Sequence, residues 1–472
     1  MLMVAVIVLG ILLIAGMIYK SSVLSDVLPW FSRLSTEEKN AQIISSGSRL
    51  RAPVLDRNGE IVADYSDRDQ GSKTLTDDDY IIKKDPYAFS TLLGYTSTRY
   101  GVGGGLIEEL NQTLTVGTNS FLNIRNNTGN TVKLTIDSEL QEYVYELTKS
   151  NKGAVVITNS QGEILCLVST PSYNANEITC DKSEIFTDEK YDGLFYNNAY
   201  EYPRVPGSVF KMISSVAISE SKLSDVPYLD NGVTYTASGY AIYNSSKVTL
   251  GTKITLSKAI CYSVNTYFAD MMNDVGEKKF NEVAERFLIG QDIELDFTTL
   301  KSSFDISDGN DALMASAFGQ GKTLLTPLHI NMITSAIVTG NLVQPYLIKE
   351  VIAPGENGRV IKSTKPSIMK EGIISYETAR EIRSGMVNAA KYYGLYEVQY
   401  NGESCAIAAK TGTAEVSADS GVTNNYITAY FPANDPQYFI TILNVGQGYG
   451  SSLAVPLQSI CHYIAQNSDK FE

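Results

Sequence analysis

PGSVFKMISSVAIS, residues 206–219, sets a tight turn ahead of an apolar-patterned helix. Pro206 and Gly207 supply the turn, and Ser208 stands where the helix begins. Lys211 follows three positions later, so hydroxyl and amine share one helical face. The start of a helix also leaves backbone N–H groups without intrahelical partners, which favours an anion developing there. A serine hydroxyl is a weak nucleophile until a neighbouring base removes its proton. Lys211 can be that base only as the neutral amine. Bringing a lysine from about 10.4 to near 7 takes roughly 4–5 kcal/mol of differential destabilisation of its charged form. Burial and a second cation nearby are two sources of such a shift.

The spacing is not distinctive by itself. Serine and lysine three apart recur at Ser219–Lys222 and Ser367–Lys370, and solvated helix faces produce the pattern freely. The first repeat falls at the polar end of the same helix, the second in a loop-like stretch. Only Ser208 has a turn followed by an apolar helix.

Two polar groupings downstream complete a candidate site. Ser263-Val264-Asn265 interrupts the apolar run AICYSVNTYFADMM, residues 259–272. A satisfied core serine beside a helix-capping asparagine accounts for it plainly. The chemical account has Ser263 relay a proton and Asn265 fix a substrate amide. The same SxN spacing recurs at Ser172–Asn174. Lys410-Thr411-Gly412-Thr413 occurs once, after the strand-like CAIAA, residues 405–409. Glycine there permits close backbone approach, so an extended ligand can lie along the strand. The Lys410 ammonium and the Thr411 and Thr413 hydroxyls suit a carboxylate, and Lys410 would also depress Lys211. A surface strand end is the plainer account.

Around these groups the chain reads as strands at both ends of a helical middle. VKLTID (132–137) looks like a strand leading into the amphipathic helix SELQEYVYELTKS (138–150). GAVVITN (153–159) and EILCLVST (163–170) are β-branched runs bracketing a Gly162 turn, as in a hairpin. Helices are expected over about 208–219, 256–275 and 278–287. CAIAAKTGTAEV (405–416), YITAYFPA (426–433) and YFITILNVG (438–446) read as three more antiparallel strands before a closing helix near 455–466. One sheet completed by distant segments, with helices packed on it, is the expected α+β arrangement. Residues 21–131 are mixed and read as a linker plus a small α/β module.

Composition narrows the function. At 472 residues the chain is too long for one ordinary domain, and 43% hydrophobic with 19% charged residues describes a globular protein. A formal charge of −14 argues against a nucleic-acid partner, which needs a basic face. Cys166, Cys180, Cys261, Cys405 and Cys461 include no CxxC pair, and Cys166 and Cys405 sit in apolar strand-like runs. Only His329 and His462 are histidines, which disfavours a zinc site or a Ser–His–Asp triad. Residues 1–19 carry no charge and are almost wholly apolar. As a helix they reach roughly 28 Å, close to the ~30 Å hydrocarbon core. A basic leader and a small-residue cleavage site are missing, so an uncleaved anchor over 1–20 is expected over a signal peptide.

SxxK, SxN and KTG in that order are the signature set of penicillin-binding proteins and serine β-lactamases, which this chain resembles. TIDSELQ (135–141), GAVVITNSQGEILCLVSTPSYN (153–174), YPRVPGSVFK (202–211) and FGQGKTLLTPLHI (318–330) look like class B penicillin-binding proteins, of the penicillin-binding protein A or division type. The likeness runs from about Val132 to the C-terminus. RAPVLDRNGEIVA (51–63) resembles a segment of the family's N-terminal module, with Ala52 where glycine is usual; GVGGGLIEEL (101–110) is a looser match. The resemblance implies three units: a transmembrane anchor (1–20), a linker and non-catalytic module (21–131), and a transpeptidase domain (132–472). That domain would be an antiparallel sheet sandwiched by helices plus an all-helical region. It further implies a D,D-transpeptidase that cross-links peptidoglycan stem peptides outside the bacterial cytoplasmic membrane, with β-lactams as covalent inhibitors. Ser208 would be the nucleophile, Lys211 the base and Ser263 the relay. Asn265 would orient the substrate, while Lys410, Thr411, Gly412 and Thr413 bind its carboxylate. Backbone N–H groups of Ser208 and Thr413 would form the oxyanion hole. No cofactor or metal is implied; a membrane glycan polymerase is the implied partner.

Rival readings meet specific obstacles. A β-lactamase or D,D-carboxypeptidase would use water as acceptor, and the Glu277–Asn281 match to a deacylating ExxxN loop follows Asn265 too closely. A non-catalytic scaffold has no reason to keep all three motifs, and a β-lactam sensor is expected to need a cytoplasmic signalling domain, for which there is no room before Met1. A glycan-polymerising domain does not fit between anchor and transpeptidase region. GQGKT (319–323) lacks the first glycine of a phosphate-binding loop, because residue 316 is serine.

Overall fold

The computed structural model of the chain describes residues 50–66, 75–116, 129–178, 183–188, 191, 193–245, 249–355, 358–416 and 421–471. The anchor expected over 1–20 and Cys180 lie outside them. Among the described residues no helix is long and apolar enough to cross a membrane.

Short strands β1 (Val54–Leu55), β2 (Ile61–Tyr65) and β3 (Tyr80–Ile82) open the chain, and β4 (Thr131–Leu134) lies parallel to β1. Next come the hairpin β5 (Lys152–Asn159) and β6 (Ile164–Thr170), the pair β7 (Ile348–Ile352) and β8 (Val360–Ser363), and finally β9 (Ala408–Glu415), β10 (Thr423–Phe431) and β11 (Tyr438–Gly446). Two sheets result. One runs β8-β7-β4-β1-β2-β3, the other β9-β10-β11-β5-β6 and wholly antiparallel. In the second, β11 meets β5 in unbroken register from Tyr438↔Asn159 to Val445↔Lys152, so the last strands complete a hairpin made far earlier in the chain.

The helices that position this sheet and the site are, in chain order, α1 (Ser138–Thr148), α2 (Lys211–Glu220), α3 (Leu256–Tyr262), α4 (Asn265–Val275), α5 (Glu277–Arg286), α6 (Pro327–Thr339), α7 (Tyr376–Tyr392) and α8 (Ala454–Gln466). Their starts follow the side chains available. Asp137 accepts from Leu140 N at 2.9 Å, Thr326 from His329 N at 3.2 Å with Pro327 in the first position, and Ser375 from Thr378 N at 3.2 Å.

Alternation along the strands separates two cores. Ile157, Ala409, Ile427, Ala429, Ile440 and Ile442 join one core with residues of α1 and α8. Ala408, Tyr426, Tyr430, Phe439 and Leu443 join another with residues of α2 to α7. Lys410 is in phase with the second set, so its side chain enters the seam between sheet and helical region.

Two local expectations fail. The helix expected over 256–275 is two helices, because Ser263 adopts φ 55° and ψ 46° and Val264 is extended. Ser263 and Val264 N–H groups then close back on Ile260 and Ala259 carbonyls, ending α3. The stretch holding Ser367 and Lys370, expected as loop, is the strand Ile368–Lys370, paired with Leu342–Val343.

The segment 51–63 is tied to α1 rather than set apart from it. Asp56 accepts the Ser138 hydroxyl at 2.7 Å, and Asn58 donates to Asp137 at 2.9 Å. Arg57 reaches Glu163 at 3.3 Å and the Phe471 carbonyl at 3.2 Å.

Candidate active site

Three glycines let the turn ahead of α2 press against β9. Gly207 has φ +58°, and a Cβ there would lie 2.9 Å from the Thr413 carbonyl. A Cβ on Gly412 would stand 2.7 Å from Pro206 O. Gly207 N–H donates to Gly319 O at 2.9 Å, and Gly319 has no room for a side chain either, with Gly207 O 2.0 Å from where its Cβ would be. The GQGKT segment thus braces the turn. Ser208 lies in a single 3₁₀ turn (Gly207–Phe210) that runs into α2.

Lys211, on the first turn of α2, is fully buried. Its Nζ lies 2.9 Å from Ser208 Oγ, 2.8 Å from Ser263 O, 3.0 Å from Ser263 Oγ and 2.6 Å from Asn265 Oδ1. The Ser263 and Asn265 carbonyls can only accept, so they take two N–H bonds. The remaining direction on the nitrogen faces hydroxyls, which accept from an ammonium or donate to a neutral amine's lone pair. A neutral Lys211 can therefore receive the Ser208 proton with its other bonds intact. Asn265 is fixed from its other end, donating through Nδ2 to Tyr243 O at 2.8 Å.

The break at Ser263 is what brings its hydroxyl and carbonyl together at Lys211. A continuous helix would commit that carbonyl to the α-helical ladder. Ser263 Oγ also accepts from Lys410 Nζ at 3.0 Å, so one hydroxyl bridges both lysines. Lys410 is fully buried as well, and its other contacts are Thr411 O at 2.9 Å and the Tyr393 hydroxyl at 3.3 Å. Ser208, Ser263, Asn265 and Thr413 are by contrast partly exposed. These hydroxyls thus reach solvent, with the amines behind them.

Burial first, and the Lys410 charge second, push Lys211 well below the usual lysine range. Burial brings Lys410 down to about 7, partly opposed by the Cys261 thiol. Neither lysine has a carboxylate among the groups that shift it.

β9 is an edge strand, so its outer side is open to an added strand. Thr413 Oγ1 accepts from Gly450 N at 2.9 Å, which leaves its own O–H to donate to a ligand. Thr411 is buried beside Lys410. All the sequence-derived site residues therefore meet along one seam.

The decoys fall elsewhere. Ser219 bonds to Thr378 at 3.1 Å and Glu381 at 3.2 Å, and Lys370 to Glu285 O at 3.2 Å. Ser172 bonds to Tyr145 at 3.0 Å, and Glu277 opens α5. His329 is a core residue held by Ser302 and Phe287, its pKa pushed down to about 4 by burial. Sequence reasoning missed Tyr393 and Tyr243, which carry no motif, and the bracing role of Gly319 within GQGKT.

A family model described as the penicillin-binding protein transpeptidase domain matches residues 153–461. Penicillin-binding protein 3 of Bacillus subtilis is 26% identical over 366 residues, 72% of this chain and 50% of that protein. The peptidoglycan D,D-transpeptidase PbpA of Mycolicibacterium smegmatis is 26% identical over 416 residues, 79% of this chain and 81% of that one. The chain spans only about half the length of the Bacillus relative. Penicillin-binding protein A of Mycobacterium tuberculosis, solved as its penicillin G acyl-enzyme, superposes with a TM-score of 0.75 at 22% identity, covering 89% of this chain and 100% of that one.

Proposed function

This chain belongs to the penicillin-binding protein transpeptidase family, and from that premise we propose that it is a serine D,D-transpeptidase of the cell wall, acylated on Ser208. The observation that carries the reading is the buried Lys211 amine, 2.9 Å from a partly exposed Ser208 hydroxyl and neighboured by a second buried cation.

In the proposed reaction a stem peptide lies along the open edge of β9. Its terminal carboxylate meets Lys410 and the hydroxyls of Thr411 and Thr413, with Gly412 allowing the close approach. Asn265 orients the peptide. Ser208 Oγ attacks the carbonyl carbon of the penultimate D-alanine while its proton passes to neutral Lys211. Backbone N–H groups of Ser208 and Thr413 receive the oxyanion, an effect worth about 2.7–4 kcal/mol per donor in related acyl transfers. The C–N bond then breaks. Ser263, which touches both lysines, hands a proton to the departing D-alanine amine. An amine from a neighbouring strand attacks the ester, restoring the Ser208 hydroxyl and forming the cross-link. A β-lactam follows the same first step, but its leaving nitrogen stays tethered and the acyl-enzyme persists.

Residues 1–20 are proposed as a single-pass anchor in the bacterial cytoplasmic membrane, placing the catalytic domain (132–472) outside it. Residues 21–131 serve as linker and non-catalytic module, and a membrane glycan polymerase is the proposed partner. Labelling with a fluorescent penicillin tests the nucleophile. Label is expected to vanish in Ser208→Ala and to persist in Ser219→Ala and Ser367→Ala; label surviving in Ser208→Ala would overturn the assignment.

A further inference from the structure

Lys410 presents an electrostatic problem that its own motif does not solve. A cation with no solvent exposure ordinarily sits against a carboxylate, yet only neutral oxygens take its three N–H bonds. Ser263 Oγ and Thr411 O supply two. The third comes from Tyr393, at the C-terminal end of α7 and outside all three motifs.

Tyr393 is built for this place. Its backbone N–H continues the helical bonding of α7, donating to the Ala389 carbonyl at 2.9 Å. Its side chain thereby reaches β9 from a fixed point. Burial pushes the phenol up to about 12, partly opposed by hydrogen bonds from Thr411, so it remains a neutral acceptor. The Lys410 ammonium also lies 6.0 Å from the ring centroid, within range of a weak cation–π attraction.

We infer that the Tyr393 hydroxyl is a positioning residue that keeps Lys410 protonated, so that its positive charge lies behind the Thr411 and Thr413 hydroxyls that meet the substrate carboxylate. A hydrogen bond accepted from the charged form favours that form. Burial brings Lys410 down to about 7, so an acceptor that favours the charged form bears on its protonation at neutral pH. The other titratable groups around Lys410 are Lys211 from α2, Cys261 from α3 and, across the sheet, Tyr426 and Tyr430 from β10, both phenols raised by burial. None of them is an anion at neutral pH that could take over the task.

The sign is definite. Removing the acceptor lowers the Lys410 pKa, so the carboxylate-binding cation is lost at lower pH. Acylation requires neutral Lys211 and protonated Lys410, and Lys410 therefore governs the alkaline limb of the pH profile. Tyr393→Phe keeps the ring and removes only the hydroxyl.

The test is the second-order rate of Ser208 acylation by a fluorescent penicillin across pH, for wild type, Tyr393→Phe and Tyr392→Phe. In Tyr393→Phe the alkaline limb is expected to move down by about one pH unit, roughly tenfold in rate on that limb, with the optimum within about threefold of wild type. Tyr392→Phe, altered at an exposed neighbour, should overlay wild type. A Tyr393→Phe profile that overlays wild type, or that drops uniformly with its limb in place, would overturn the inference. Because the inference rests on the proposed acylation, the wild-type arm separates the two failures. Wild type that is never acylated at any pH defeats the function itself. A normal wild-type bell with an unmoved variant limb defeats only the role of Tyr393.

Discussion

Buried cations are handled in opposite ways at the two seams of this molecule. Where the N-terminal segment meets the β5–β6 hairpin, Arg57 and Lys349 both reach Glu163, at 3.3 and 2.9 Å, and the Glu163 side chain is only 7% exposed. Positive charge there is matched by negative charge, and the result holds segments together. At the seam between β9 and the helical region, Lys211 and Lys410 share the Ser263 hydroxyl, and their other contacts are also neutral. Burial and the Lys410 charge destabilise protonated Lys211, and burial lowers Lys410 itself. Pairing makes a clamp, and its absence leaves an amine suited to the proposed role of base. The second arrangement is tolerable only because carbonyls and hydroxyls satisfy the donors, as buried polar groups require.

That contrast can be broken by single substitutions. Removing the base should have the largest effect: Lys211→Ala is expected to slow acylation by about 10²–10⁴-fold, the range for a lost general base, with little loss of folded protein. Acylation kinetics beside a thermal melt would check both halves. A Lys211→Ala protein that acylates normally would mean that the seam is only structural. Glu163→Ala should do the reverse. It leaves the Arg57 cation buried and unpaired, an expected cost of about 3–5 kcal/mol in denaturant unfolding, while the folded protein reacts with penicillin within about twofold of wild type. Smallest is Lys349→Ala, whose side chain is 31% exposed, so screening holds the expected loss to about 1 kcal/mol or less. Equal losses for Glu163→Ala and Lys349→Ala would erase the distinction between a buried pair and a surface one.

Much of this was legible beforehand, and the reasons differ by region. The hairpin at 152–170 and the strands at 408–446 announce themselves through β-branched alternation around a glycine turn. Helix periodicity puts Ser208 and Lys211 on one face, and the resemblance to the SxxK, SxN and KTG signature set groups Ser263, Asn265 and Lys410 with them. What stayed hidden is non-local. The break after Tyr262 falls in a stretch that reads as one helix despite its two polar residues, since a serine at positive φ leaves no compositional mark. The parallel pairing of β1 with β4 joins segments far apart in sequence, and no local pattern specifies such a register. Tyr393 reaches Lys410 only because α7 docks its end on β9. One aromatic among thirty tyrosines gives no sign of that.

The central claim is that Lys211 is uncharged at working pH because burial and Lys410 together suppress its protonation. Carbon-13 NMR of the lysine ε-carbons, assigned by comparison with Lys211→Ala, reads that state directly. A Lys211 midpoint well below the usual lysine range is expected in wild type, moving upward in Lys410→Met. A Lys211 that stays protonated above pH 9, or whose midpoint ignores the loss of Lys410, would contradict it.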